Sequence, residues 1–293
     1  MLDVRRLRLL RELAHRGTIA AVADALSFSP SAVSQQLSIL EREAGVALLE
    51  RSGRRVELTQ SGRDLVVHAE SVLEVLERAA ADLAGARDGL AGPLRIGTFP
   101  SAARMLAAGL AVLARDHPRL EPMVDQIDPA EVAGALRGSE LDVALVHDYD
   151  FVPPEPTPGL DGEPLLEECL HLAAPSDWRG ADADDAIARW RDAPWITAPP
   201  GMLCHRMAVR ACQSAGFAPR IRHHIDDFAA VLGFVAMEQG VAIVPQLAAV
   251  DPPPGVALTE LPMHRRTRIS YRRGADRHPA VSAFMRAMRS VVS

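Results

Sequence analysis

Apolar residues recur at helical spacing three times near the start of the chain. Residues 2–16 place Leu7, Leu10, Leu13 and Ala14 on one side, with Arg5, Arg8 and Arg11 among them, and Gly17 supplies a stop. Thr18 is an N-cap candidate for a short alanine-rich helix, Ile19 to Leu26, which gives way to a turn at Ser27-Phe28. Ser29 then caps a third helix, with Pro30 at its first position, where a missing N–H costs nothing, and with Gly45 beyond its end near Glu43. Val33, Leu37 and Leu40 line one side of this helix; Ser31, Ser34, Gln35 and Ser38 line the other. A helix that needs only to be wetted usually shows Glu, Lys and Arg to water, so a face of short neutral hydrogen-bonding groups calls for a partner.

Downstream the period changes. LLERSGRRVELT, residues 48–59, alternates Val56 and Leu58 with polar positions around Ser52-Gly53, predicting a two-stranded hairpin with Arg51, Arg54 and Arg55 at its tip. From Thr59 to about Ala86, Leu65, Ala69, Val72, Leu76, Ala79 and Leu83 follow a heptad spacing, predicting a long helix with a pairing seam. Gly85, Gly89, Gly92 and Pro93 break it and mark a hinge.

The remainder alternates strand and helix. LRIGTF, LEPMVDQ and LDVALVH read as strands, separated by helices over Ala102 to Arg115 and Pro129 to Leu136, an order that predicts a parallel sheet with right-handed crossovers. The proline-rich 152–159 is an extended connector. A second unit follows: LLEECLHLAA, the strand PWITA, helices through Arg210 and from Phe228 to Met237, and the strand VAIVP. After the prolines at 252–254 come a strand-like RRTRISYRR and a final amphipathic helix from His278 to Val292. Two α/β units create a cleft, and ligands of open parallel sheets bind beyond the strands' carboxyl ends. Those ends are Gly97 to Ser101, Asp125 to Asp128, His147, Thr197 to Pro199, and Val244-Pro245. Helix N-termini after Ser101 and Pro199 favour an anionic or carbonyl-bearing ligand.

Composition narrows the function classes. The 293 residues imply two or three domains, and a mean hydropathy of +0.03 is that of a core-forming globular protein. The net charge of -6 excludes a uniformly basic nucleic-acid binder, yet residues 1–60 carry nine Arg against seven Asp and Glu. All 32 basic residues of the Lys+Arg count are arginine, so every fixed cation is a planar fork suited to phosphate or carboxylate. Cys169, Cys204 and Cys212 form no disulfide framework and no zinc-ligand spacing. The Arg-interrupted N-terminus lacks the apolar core of a signal peptide and no apolar run reaches membrane-spanning length, so a cytoplasmic location without membrane attachment is expected.

Two helices joined by a tight turn, the second opened by Ser-Pro, describe a helix-turn-helix. Its second helix would enter the major groove of double-stranded DNA, where serine hydroxyls and glutamine amides exchange hydrogen bonds with base edges. The arginine-tipped hairpin would reach backbone phosphate or a narrow minor groove. The bland alternative is a small helical domain whose polar surface arose by chance.

The chain resembles the LysR-type transcriptional regulators. The matching stretches are GTIAAVADALSFSPSAVSQQLSILEREAGVALLERSGRRVELTQSGR, LRIG, LRGSELDVALV, AGFAPRI and DDFAAVLGFVAMEQGVAIVP, sharpest over residues 17–62. The resemblance implies a winged helix-turn-helix over 1–60, a linker and dimerisation helix over 61–90, and an α/β two-lobed, periplasmic-binding-protein-like effector domain over 91–293. Lobe I would take about 91–158 and 266–293, and lobe II about 159–265. It implies a homodimer or homotetramer, a small-molecule effector between the lobes, and RNA polymerase as a further partner. Carried onto this sequence, DNA contacts fall to Thr18, Pro30, Ser31, Ser34, Gln35 and Gln36 and to wing residues Arg54 and Arg55, beside Ser38 from the polar face. The effector cleft draws on Thr98, Ser101, Asp128, His147, Thr197 and Phe228. Leu49 stands where many members carry Phe, a core change. Asp128 stands where many carry a neutral residue, which suits an amine-bearing or hydroxylated effector; the alternative is an N-cap for the helix at Pro129.

Two other classes compete. Cys204-His205 with His223-His224 suggests a thiol enzyme or metal site, but neighbouring helix residues point apart, and no phosphate loop, nucleophile elbow or zinc motif is present. No catalytic residue, metal or cofactor is therefore expected. A solute-binding protein without DNA function is opposed by the first sixty residues.

Overall fold

The computed structural model describes residues 1–52, 55–86, 89–154, 156–180 and 185–292. The N-terminal unit contains α1 (Val4–Arg16), α2 (Ile19–Ala25), α3 (Pro30–Ala44), β1 (Leu49–Ser52) and β2 (Arg55–Leu58). Asp3, Thr18 and Ser29 cap the three helices through their side chains, and Gly17 and Gly45 end α1 and α3 in the left-handed conformation. Their apolar faces meet in one core of Leu7, Leu10, Leu13, Val22, Val33, Leu37 and Leu40. One carboxylate fixes the hairpin to α3: Glu41 Oε1 accepts from the N–H groups of Leu48 and Leu49, both at 3.0 Å. Leu49 packs on this core, as a core substitution should.

Helix α4 (Gln60–Gly85) starts from Thr59, whose hydroxyl accepts from Gly62 N and donates to Ala47 O. Gly62 is needed there because a Cβ would sit 2.2 Å from Leu48 O. The heptad seam does not stay on one surface. Leu65 and Ala69 enter the N-terminal core, whereas Val72, Leu76, Ala79 and Leu83 are exposed, joined by Val75. The exposed stripe is thus shorter than the periodicity alone predicts, because the first turns of α4 are occupied by their own domain.

The C-terminal part comprises β3 (Gly92–Thr98), α5 (Ala103–Asp116), β4 (Leu120–Gln126), α6 (Pro129–Gly138), β5 (Val143–Tyr149), β6 (Leu160–Pro175), β7 (Pro194–Thr197), α7 (Leu203–Ser214), β8 (Arg220–His224), α8 (Phe228–Ala236), β9 (Ala242–Pro245), β10 (Val256–Arg272) and α9 (Pro279–Val292). Strands β4, β3 and β5 are parallel, as the βαβαβ order predicts. The sheet continues with β10, β6 and β9, all antiparallel to their neighbours, giving the order β4-β3-β5-β10-β6-β9. Strands β7 and β8 form a separate parallel pair, tied to the segment before β9 by a bridge between Trp195 and Val241.

Strands β6 and β10 run through both halves of this unit. Ile269 and Tyr271 pack with α5 and α9 in one apolar cluster, while Leu170, Leu172, Leu261 and Met263 pack with α7 in another. Their ladder slips between Leu261 and His264 and again between Thr267 and Arg268. Pro262 has no N–H to donate, which accounts for the first slip. The passage from one half to the other therefore falls inside two continuous strands. No described helix is long and apolar enough to cross a membrane.

Candidate nucleic-acid interface and ligand cleft

Helix α3 divides sharply. Val33 and Leu37 are each 1% exposed and Leu40 is 0% exposed. Ser31, Ser34, Gln35 and Ser38 are all exposed, and Thr18 and Pro30 are exposed near its entry. Thr18 is also committed to capping, accepting from Ala21 N at 3.1 Å. Ser31 Oγ lies 3.0 Å from Ser29 Oγ. Gln36 differs from the others: it is half-buried and accepts from Arg6 Nε at 2.9 Å, within a cluster where Arg6 also pairs with Glu43. It ties α3 to α1 and stands apart from the exposed row. Arg42 was not singled out by the sequence reading, yet it is exposed one turn beyond Ser38 and extends that row with a cation. Its spacing from Ser38, Gln35 and Ser31 was the available signal. Hairpin strands β1 and β2 pair Leu49 with Leu58 and Ser52 with Arg55. Arg54, with Gly53 of the predicted turn, lies outside the described residues.

The second site is a cleft of about 1710 Å³ that runs between the halves of the C-terminal unit and on to Glu74 and Arg78 of α4. Ser101, Asp128, His147 and Phe228 line it. Thr98 and Thr197 do not; each is 4% exposed and folds back toward the backbone. Thr197 Oγ1 donates to Ala198 O at 3.0 Å and lies 3.1 Å from His205 Nδ1, so it is consumed beneath the cleft rather than presented to it. Asp128 is the N-cap of α6, accepting from Ala130 N at 2.8 Å, and it remains exposed at the cleft rim. Helix α7 starts at Leu203, after a turn closed by Met202 N donating to Pro199 O, rather than directly after Pro199.

The cleft floor rests on residues the sequence reading did not select. Arg265 is 1% exposed and Glu168 is 4% exposed. Arg265 Nε donates to Glu168 Oε1 at 2.8 Å, its Nη1 donates to Ser101 Oγ at 2.8 Å, and its carbon lies 5.0 Å from the centre of the Phe99 ring. The other carboxylate oxygen of Glu168 accepts from Leu247 N at 2.6 Å. Arg265 Nη2 lies 2.7 Å from Glu168 Oε1 without a hydrogen bond of its own, and the other bonds offset the cost of burying the two charges. Each partner comes from one of the two long strands, so the pair sits where those strands change surroundings.

His147 stands between the Phe99 and Tyr149 rings, with centroids at 4.4 and 5.3 Å. Both its ring nitrogens are buried without a hydrogen-bond partner among the described residues. Burial, reinforced by the nearby Arg265 charge, lowers its pKa to about 3. The ring is therefore neutral at physiological pH and offers one donor and one acceptor. Tyr149 OH lies 3.2 Å from Cys204 Sγ. Burial pushes the Cys204 thiol up, although Tyr149 and Arg265 favour the thiolate. Among the described residues no group of three His, Cys, Asp or Glu side chains is placed to hold a metal.

These features have known counterparts. Residues 4–63 match the bacterial regulatory helix-turn-helix protein, lysR family, and residues 87–293 match the LysR substrate binding domain. Over 272 residues the chain is 30% identical to the HTH-type transcriptional regulator TfdS of Cupriavidus pinatubonensis, covering 89% of this chain and 88% of that protein. It is 39% identical over 170 residues to a probable hydrogen peroxide-inducible genes activator of Mycobacterium xenopi, covering 58% of this chain and 87% of that one. A Corynebacterium glutamicum OxyR C206 mutant superposes with a TM-score of 0.59 at 25% identity, over 99% of this chain and 92% of that chain. The chain belongs to the LysR family of transcriptional regulators, with a helix-turn-helix domain that binds DNA and a substrate-binding domain that takes a small-molecule effector.

Proposed function

We propose that this protein is a cytoplasmic, non-catalytic regulator in which residues 1–60 bind DNA, 61–90 pair two subunits, and 91–293 bind the effector. Ser31, Ser34, Gln35 and Ser38 read base edges in the major groove, with Thr18 and Pro30 beside the backbone and Arg42, Arg54 and Arg55 toward phosphate. The observation that carries this reading is the division of α3 into a sealed apolar side and an exposed neutral polar side, on which Ser31 alone of the four is engaged, with Ser29, among the hydrogen bonds of the described residues. Val72, Leu76, Ala79 and Leu83 supply the contact between copies, as a homodimer that can pair again into a homotetramer. In a mobility or filter assay, Gln35→Ala should lose about 1–3 kcal/mol at the specific site and little on random duplex. Equal losses on both would remove base reading from Gln35.

The effector lies between the lobes against Ser101, His147 and Phe228, with Asp128 at the rim. A neutral imidazole with both nitrogens unpaired favours a hydroxylated ligand, which both gives and accepts hydrogen bonds, over one recognised by charge alone. Thiol oxidation, suggested by the peroxide-linked name of the mycobacterial relative, is the less favoured input. Reaction with peroxide needs a thiolate, and burial keeps Cys204 protonated. Operator binding that changes on peroxide treatment in wild-type protein but not in Cys204→Ser would reverse this preference.

A further inference from the structure

The joint between the N-terminal unit, α4 and α6 gathers an unusual number of buried cations. Arg11 is 5% exposed, Arg137 is 8% exposed, and Glu12 between them is fully buried. Glu12 is shared by three arginines: Arg11 Nη2 at 2.8 Å, Arg16 Nε at 2.9 Å and Arg137 Nε at 3.9 Å. Arg8 completes the group. Its Nη2 donates to Arg137 O at 3.0 Å and Ser139 Oγ at 3.2 Å, and no carboxylate among the described residues forms an ion pair with it.

A cavity of about 60 Å³ opens among these side chains. Five arginines line it, Arg8, Arg11, Arg137, Arg272 and Arg273, against Glu70, Glu74 and Glu77. The three carboxylates already have cations or histidine beside them: Glu70 has His15 at 3.0 Å, Glu77 has Arg272 at 2.8 Å, and Glu74 has Arg78. Arg273 is paired outward with Asp161 at 3.2 Å. Arg11 is shared between Glu12 and Glu70, its Nη1 lying 4.0 Å from Glu70 Oε2, and Arg137 reaches Glu12, so Arg8 is the cation of the group with no carboxylate within ion-pair distance among the described residues. The Nε of each of those three arginines is buried without a hydrogen-bond partner. Burial, with the nearby Arg11 charge, weakens the hold of Arg8 and Arg137 on their protons, although Glu12 opposes the shift at both.

We propose that this cavity is a binding site for a small tetrahedral oxyanion, of the phosphate or sulfate class, clasped by Arg8, Arg11 and Arg137. Water would satisfy the three N–H groups but would leave the surplus positive charge in place; an oxyanion does both, and guanidinium forks match its oxygens. Because Arg8 and Arg11 belong to α1 and Arg137 to α6, the bound anion fastens the DNA-binding unit to the effector-binding unit.

The test is titration of the full-length protein with inorganic phosphate and with sulfate, by calorimetry and thermal unfolding, at constant ionic strength maintained with chloride. One equivalent should bind, with the unfolding temperature rising with anion concentration above the chloride control. Arg8→Gln, which removes a half-buried side chain rather than a core one, should weaken binding at least about tenfold, the lower range for a charged hydrogen bond. Arg115→Gln, on the exposed side of α5, should leave binding unchanged. Indistinguishable behaviour in phosphate, sulfate and chloride would show a cavity filled by water only. Unaltered affinity in Arg8→Gln would place the bound anion elsewhere, and either result overturns the assignment.

Discussion

Helix α3 and the cleft floor both offer hydrogen bonds to a partner, but they are built in opposite ways. The side chains of α3 are short, neutral and in water, and only their backbone is fixed by the core below. In the cleft, Arg265 and Glu168 are withdrawn from water and bonded to each other and, through Arg265, to the half-buried Ser101 before any ligand arrives. A partner of α3 must therefore order the side chains it meets, whereas an effector meets groups already set, with both ring nitrogens of His147 and Nη2 of Arg265 left without a hydrogen bond among the described residues. The comparison teaches that the cost of order is met at binding on one surface and during folding on the other.

That contrast can be broken by mutation. Glu168→Ala leaves Arg265 buried and unpaired and should destabilise the protein by about 3–5 kcal/mol in denaturant unfolding. A loss near zero would mean that the guanidinium reaches water and the floor is not sealed. Leu37→Ala, on the sealed side of α3, should cost about 2–5 kcal/mol of stability, while Ser34→Ala on the opposite side should stay within about 0.5 kcal/mol. Similar values for the two would dissolve the division of the helix. His147 sharpens the cleft side. Its folded pKa of about 3 lies below the ordinary 6.5, so the stability it contributes is fully present above pH 6.5 and is lost as pH falls toward 3. His147→Phe should flatten the stability profile over that interval; parallel profiles would show a hydrated imidazole. A smaller loss than those of the buried groups is expected for Ser29→Ala, about 1 kcal/mol from loss of the cap on α3, read as a shift of the denaturation midpoint.

Local chemistry was largely legible in the sequence. Caps at Thr18, Ser29 and Asp128, the proline starts at Pro30 and Pro129, and the parallel β3, β4 and β5 each follow from a few adjacent residues. Strand β8 was not anticipated, because RIRHH carries charge and imidazole at positions where a strand usually shows apolar side chains, and its order comes from pairing with β7. The first half of β10 was hidden by Pro262 and by the prolines before it. Thr98 and Thr197 sit at strand ends as predicted, but the direction of a side chain at a strand end is set by packing, and both turn away from the cleft. Arg265 and Glu168 lie 97 residues apart and meet only because β6 and β10 are neighbours, a juxtaposition that no local pattern announces.

The crossing of β6 and β10 through both apolar clusters has a practical consequence. Neither lobe is a contiguous piece of chain that can be excised, and cutting at any point between them exposes raw ladder edges prone to sticking to other molecules. Opening and closing around a ligand would therefore bend two continuous ribbons where β10 passes from one apolar cluster to the other, between Met263 and Ile269, more like a leaf spring than a loose tether.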